Sequence, residues 1–128
     1  MMDWAALRAA ALLLWGRAFL GVITITEDHS GDALQADRVI ARATWRVPSD
    51  GVCSITVYLP RWEVDFNVQA IITHEVGHCL GVNHTENQPG LMGASYEDWT
   101  AFSGYDRIAF WRVYAPPYRI GIPFLATE

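Results

Sequence analysis

Apolar residues recur at helical spacing from the start of the chain. Trp4, Leu7, Ala11, Leu14, Trp15 and Ala18 form one stripe, with Arg8 and Arg17 off it, which predicts an amphipathic helix packed on the rest of the domain. The same stretch, "DWAALRAAALLLWGRAFLG", does not read as a membrane span, because the two arginines cut its apolar run to "AAALLLWG". Nor does it read as a signal peptide: Asp3 stands in the leading region, and no small-x-small site follows the apolar stretch. After Gly21 the pattern changes to alternation. "VITIT" reads as a strand, "EDHSGD" as a loop, "RVIARATW" (38–45) as a second strand and "PSDG" (48–51) as a turn. "VCSITVYL" is a third strand, with Cys53, Ile55, Val57 and Leu59 on one face and Ser54, Thr56 and Tyr58 on the other. Asp65 or Asn67 then caps a helix running to about Leu80, whose buried side carries Val68, Ile72, Val76 and Cys79. His74 and His78 lie on the adjacent side of that helix. The order helix, strands, helix, loop, helix predicts an α+β domain.

Composition narrows the picture. The chain has 128 residues, read as one domain (1–128) with residues 116–128 as a C-terminal extension. A chain of this size buries roughly two-thirds of its unfolded surface, enough for a core without staples. Net charge is −5 and the nine basic residues are scattered with no basic stripe, which argues against nucleic acid as a partner. No membrane partner is expected either, and a monomer is the default. Both cysteines, Cys53 and Cys79, fall on core-facing positions. The favoured reading is a pair of small buried thiols; a disulfide between them is the alternative.

The candidate chemistry lies in "HEVGHCLGVNH", residues 74–84, which holds three of the four histidines. His74 and His78 are four apart on a helix, so their imidazoles stack on one side and can grip one metal ion. Glu75 projects about a quarter-turn round, suited to reach a water beside that ion rather than to chelate it. Gly81 can take the left-handed conformation that ends a helix, turning the chain to bring in His84 as a third ligand. Three nitrogen ligands and an open fourth position are the pattern of a catalytic zinc, whereas a structural zinc is closed by four protein ligands.

With His74, Glu75, His78, Gly81 and His84 in place, and "LMGASY" beyond them, the chain resembles the metzincin zinc endopeptidases, whose motif is HExxHxxGxxH followed by a methionine turn. The closest likeness is to the matrixins, the matrix metalloprotease type. Met92 stands eight residues past His84, and Tyr96 stands four residues after Met92, as in that group. Ala94 occupies the position where other metzincins place a zinc-binding tyrosine, so no tyrosine ligand is expected. "QAD" (35–37) is similar to a matrixin strand entry. "YDRIAFWRVYA" resembles the last helix, with Asp106 and Tyr114 in matching places. The likeness covers roughly residues 5–115.

The resemblance implies one catalytic zinc on His74, His78 and His84, with Glu75 as general base and Met92 as an apolar floor. It also implies a substrate pocket walled by the zinc helix and by Gly93, Ala94, Ser95 and Tyr96. The small Gly93 and Ala94 suggest an open pocket with apolar preference. A peptide or protein substrate is expected to lie along the edge of "CSITVYL". Family members are typically secreted as zymogens, but neither a propeptide cysteine nor a clear secretion signal is seen, so the compartment is left open. The chain is read as starting at the family's first helix, without the strand before it, so either a smaller sheet or a strand added in its place by "YRIGIPFL" (118–125) is expected. His29, in "EDHSGD", reads as a solvated loop residue rather than a second zinc ligand. Calcium is not expected; Glu27, Asp28 and Asp32 would make only a weak site. Two other function classes stand beside the protease: a silent zinc-stabilised binding module, which intact Glu75 disfavours, and an intracellular protease of DNA-bound proteins, which the acidic balance disfavours.

Overall fold

The structure is a computed structural model and describes residues 2–19, 21–30, 39–45, 51–85, 88–95 and 101–114, with the Trp45 side chain left out. The expectations for 35–37, Asp32, Tyr96 and 118–125 therefore lie outside the described residues.

Helix α1 (Trp4–Trp15) starts where the Asp3 carboxylate accepts the Ala6 N–H at 3.0 Å, a side-chain cap for one orphan donor. Its inward residues are Trp4, Leu7, Ala11 and Trp15, as the stripe predicts, joined by Leu12. Two of the predicted positions fail. Leu14 is 52% exposed, and Ala18 lies beyond the helix end, where the helical period no longer applies. Arg8 corrects the pattern in the other direction. It is a helical neighbour of Trp4, Ala11 and Trp15, and its guanidinium donates to the Ile23 carbonyl at 2.8 Å. Its stem therefore lies along the stripe while its head meets a strand carbonyl.

Strands β1 (Val22–Asp28), β2 (Ala41–Trp45) and β3 (Val52–Tyr58) form one mixed sheet in the order β1-β3-β2. β3 is central, parallel to β1 and antiparallel to β2. The register aligns Ile25, Ile55 and Ala43 across one row, and alternation sends them toward the helices. Cys53, Ile55 and Val57 are fully buried. Tyr58 keeps its alternating position on the outer face but is also buried: the one-turn 3-10 helix Leu59–Arg61 follows it and the Arg61 guanidinium lies 5.8 Å from its ring. β2 is shorter than expected. Just before it, the Val39 and Ile40 carbonyls accept the Arg61 guanidinium and the Trp62 indole N–H.

Helix α2 (Val68–Cys79) is capped by Asn67, not Asp65; its side-chain oxygen accepts the Ala70 N–H at 3.1 Å. It packs across the sheet with α1 beside it and α3 (Gly104–Tyr114) closing the far end. Cys53 and Cys79 meet between sheet and helix and are joined as a disulfide, with Cα atoms 5.7 Å apart. This corrects the favoured free-thiol reading. Two core-facing cysteines on packed elements fall within bonding range. Closing a loop of 26 residues restricts the unfolded chain by about 3–4 kcal/mol. Among the described residues no helix is long and apolar enough to cross a membrane.

Candidate metal centre

The site grows out of the last two turns of α2. His74 and His78 stand one turn apart with their Nε2 atoms 3.1 Å from each other. Two nitrogens bound tetrahedrally to one zinc at about 2.0–2.1 Å would lie roughly 3.3 Å apart, so the pair already has ligand spacing. Their other nitrogens fix this orientation. The Nδ1 of His74 lies 2.5 Å from the Leu91 carbonyl, and that of His78 lies 2.9 Å from the Val82 carbonyl. A carbonyl can only accept, so both Nδ1 atoms carry the proton and both Nε2 atoms present a lone pair.

The turn after α2 delivers the third imidazole. Gly81 has φ +92°, a conformation that glycine adopts without a Cβ clash. The Gly81 N–H donates to the His78 carbonyl and the Val82 N–H to the Gly77 carbonyl, both at 2.9 Å, closing the helix end with a Schellman pair. His84 is thereby returned to the helix face, and the ligand atoms of His74, His78 and His84 all lie within 4.8 Å of one another. The donor set fits a zinc ion: three neutral imidazoles, two of them with locked tautomers.

Electrostatics agree. Burial lowers the pKa of His74 to about 4, helped by the neighbouring charges of His78 and His84 and opposed by the Leu91 carbonyl. Burial, then His84, lowers that of His78 against the Val82 carbonyl, and burial lowers that of His84. The imidazoles are thus kept neutral and able to coordinate.

A family model for matrixin, peptidase M10, matches residues 16–115. The chain belongs to the matrixin family. Comparison with curated proteins gave no significant match. Membership implies zinc, and the three histidines could hold it. The match begins at Gly16, so all of α1 precedes it.

Around the three histidines, this matrixin places the other expected residues as follows. Glu75 is buried beside His74, with Oε2 4.0 Å from the His74 Nε2. Burial raises its pKa to about 7, against the pull of a hydrogen bond from the Ala43 backbone and the Arg42 charge. Met92 is fully buried under α2 at Gly77. A Cβ on Gly77 would stand 2.7 Å from Trp15 Cζ2 and 2.8 Å from the Met92 sulfur, so only glycine lets the two side chains close on the helix between the ligands. Gly93, Ala94 and Ser95 line a cleft of about 840 Å³ that also holds the three histidines and Glu75.

The cleft corrects one expectation. Its strand is β2, through Ala41, Arg42 and Ala43 with the preceding Val39 and Ile40, and not β3. β3 has β1 on one side and β2 on the other, so both of its edges are already paired, whereas among the described residues β2 pairs on one side only.

Asp106 was legible only as a positional match, yet it organises the loop under the site. Fully buried, its two carboxylate oxygens accept the N–H groups of Leu91, Met92 and Ser103, each at 2.8 Å. It thereby holds the residue whose carbonyl orients His74. Tyr114 donates its hydroxyl to the Leu80 carbonyl at the end of α2. Away from the site, His29 is exposed and lies 2.8 Å from Glu27, which also accepts the Trp4 indole N–H; Asp28 accepts from Ser30.

Proposed function

We propose that the protein is a zinc-dependent endopeptidase acting on extended peptide, as a monomer and without a nucleic-acid or membrane partner. The observation that carries this reading is the convergence of three imidazoles beside a buried glutamate, in a cleft bordered by a strand that, among the described residues, is paired on one side only. His74, His78 and His84 would hold the zinc, which when bound supplies Lewis-acid chemistry and acidifies a water.

The chain's own residues do the rest. A substrate backbone laid against β2 can pair with the N–H and C=O groups on the side that no described strand covers, and this would set the depth and direction of the peptide. Ala41 and Ala43 on that strand are small, so the backbone can approach the helix closely. Glu75 lines the same cleft as Ala41, Arg42 and Ala43 of that strand and lies beside His74, within reach of a bond held along β2. From there it takes a proton from the attacking water and later gives it to the departing amine nitrogen. Ile71 and Leu91, both buried and apolar, line the same cleft as Gly93 and Ala94 and favour an apolar side chain.

The test is cleavage of a quenched-fluorescent peptide library by zinc-loaded protein, with Glu75→Gln as control. The expected result is cleavage that falls by about 10²–10⁴-fold in the variant while zinc stays bound. A zinc-loaded, folded protein that cuts nothing, or a variant as active as the parent, would sink the reading.

A further inference from the structure

We propose that the Cys53–Cys79 disulfide is a positioning element of the metal site, so that reducing this one bond weakens zinc binding while the fold persists. The inference rests on reading His74, His78 and His84 as the ligands.

Cys79 is the last residue of α2 and follows His78 directly. Beyond it come the Leu80 cap, the Gly81 turn, the Val82 carbonyl that orients His78, and then His84. Two of the three ligands and one tautomer lock therefore sit at the end of the helix that the bond ties to β3. The middle of α2 is held by other means. Trp15 donates its indole N–H to the Thr73 carbonyl at 2.8 Å, Gln69 donates to the Leu7 carbonyl, and Met92 and Trp15 close on Gly77. His74 belongs to this second set of supports, through Leu91 and Asp106. Breaking the bond thus removes the covalent tie at that end, leaving it only the Tyr114–Leu80 hydrogen bond and the packing of Leu80 and Val82, while the middle of the helix keeps all its supports.

Both sulfurs are shielded, with Cys53 at 0% and Cys79 at 1% exposure, so a reductant reaches them only when that end opens. A metal bridging His74 to His78 and His84 opposes the same opening. Linkage then makes the effect reciprocal: whatever factor reduction takes from zinc affinity, zinc must add to the bond's resistance to reduction. An oxidising compartment keeps the site assembled, and a reducing one loosens it.

The experiment reduces the full chain with a trialkylphosphine. The phosphine gives two electrons to the S–S bond and becomes its oxide, with water supplying the oxygen and the two thiol protons. Zinc affinity is measured by competition with a chromophoric chelator, and helical content by circular dichroism. A C53A/C79A variant runs in parallel, so that new thiols cannot bind zinc themselves. Expected are affinities about ten- to a hundredfold weaker in both reduced protein and variant, within the range for groups that orient ligands, with helical signal retained. Zinc should also slow reduction of the parent. Equal affinities with and without the bond overturn this inference alone. Loss of helical signal together with zinc also overturns it, since the bond would then be a general staple. An oxidised protein that binds no zinc overturns the functional reading and this inference with it.

Discussion

His74 and His78 on the one hand, and His84 on the other, reach the same point by different means. The first pair stands on a helix, half-buried, each with its Nδ1 fixed by a carbonyl from a neighbouring turn. His84 is exposed, stands in the turn after Gly81 and depends on the helix end being closed. The pair is oriented by packing that exists without metal, while the third ligand is oriented by a turn. The difference teaches that the site's position is fixed by α2 and its supports, and its completion by residues 80–84.

The largest expected effect breaks the pair. His78→Ala should lower zinc affinity well beyond the roughly hundredfold reached by changes to supporting groups, and His84→Ala should lower it less. Calorimetric titration checks the order, and a larger loss at His84 would invert the comparison. Next comes the support under the pair. Asp106→Asn removes a charge from three backbone donors, and should cost about 1–3 kcal/mol in chemical unfolding and about ten- to a hundredfold in zinc affinity.

Proton linkage sharpens the comparison further. The histidine pKa values are lowered, His74 to about 4 from 6.5, so the unfolded chain binds more protons in that window and stability is lost as pH falls through it. Glu75 acts in the opposite sense. Its pKa is raised from 4.5 to about 7, so its contribution is present below the unfolded value and lost as pH rises toward 7. The two oppose each other in metal-free wild type. In metal-free Glu75→Gln the opposing group is gone, and stability should climb from pH 4 to 6.5, with the histidines carrying the part above pH 4.5. A flat profile would contradict the buried, neutral imidazoles. The smallest effect lies at the far end of α2: Asn67→Ala should cost about 1 kcal/mol through the lost cap and leave zinc affinity unchanged.

What could be read from the sequence follows the range of the interactions. The ligands, Gly81 and the capping asparagine are local signals, carried by spacings of a few residues along one helix and its turn. The α+β order and the inward face of β3 came from alternation, which is also local. Sheet order is not. That β3 is central and β2 borders the cleft depends on which strands pair, so the expectation of an open edge on β3 fails. The disulfide, the Arg8 contact with Ile23 and the role of Asp106 all join residues distant in sequence. Tyr58 kept its alternating position but was covered by the turn that follows it.

The central claim is a three-imidazole zinc site with its fourth position open. X-ray absorption at the zinc edge of the one-to-one complex tests it most directly. The account predicts three nitrogen neighbours at about 2.0–2.1 Å with imidazole outer shells and a further light atom that substrate-like hydroxamates replace. A sulfur neighbour near 2.3 Å, or four protein ligands with no exchangeable position, would contradict it.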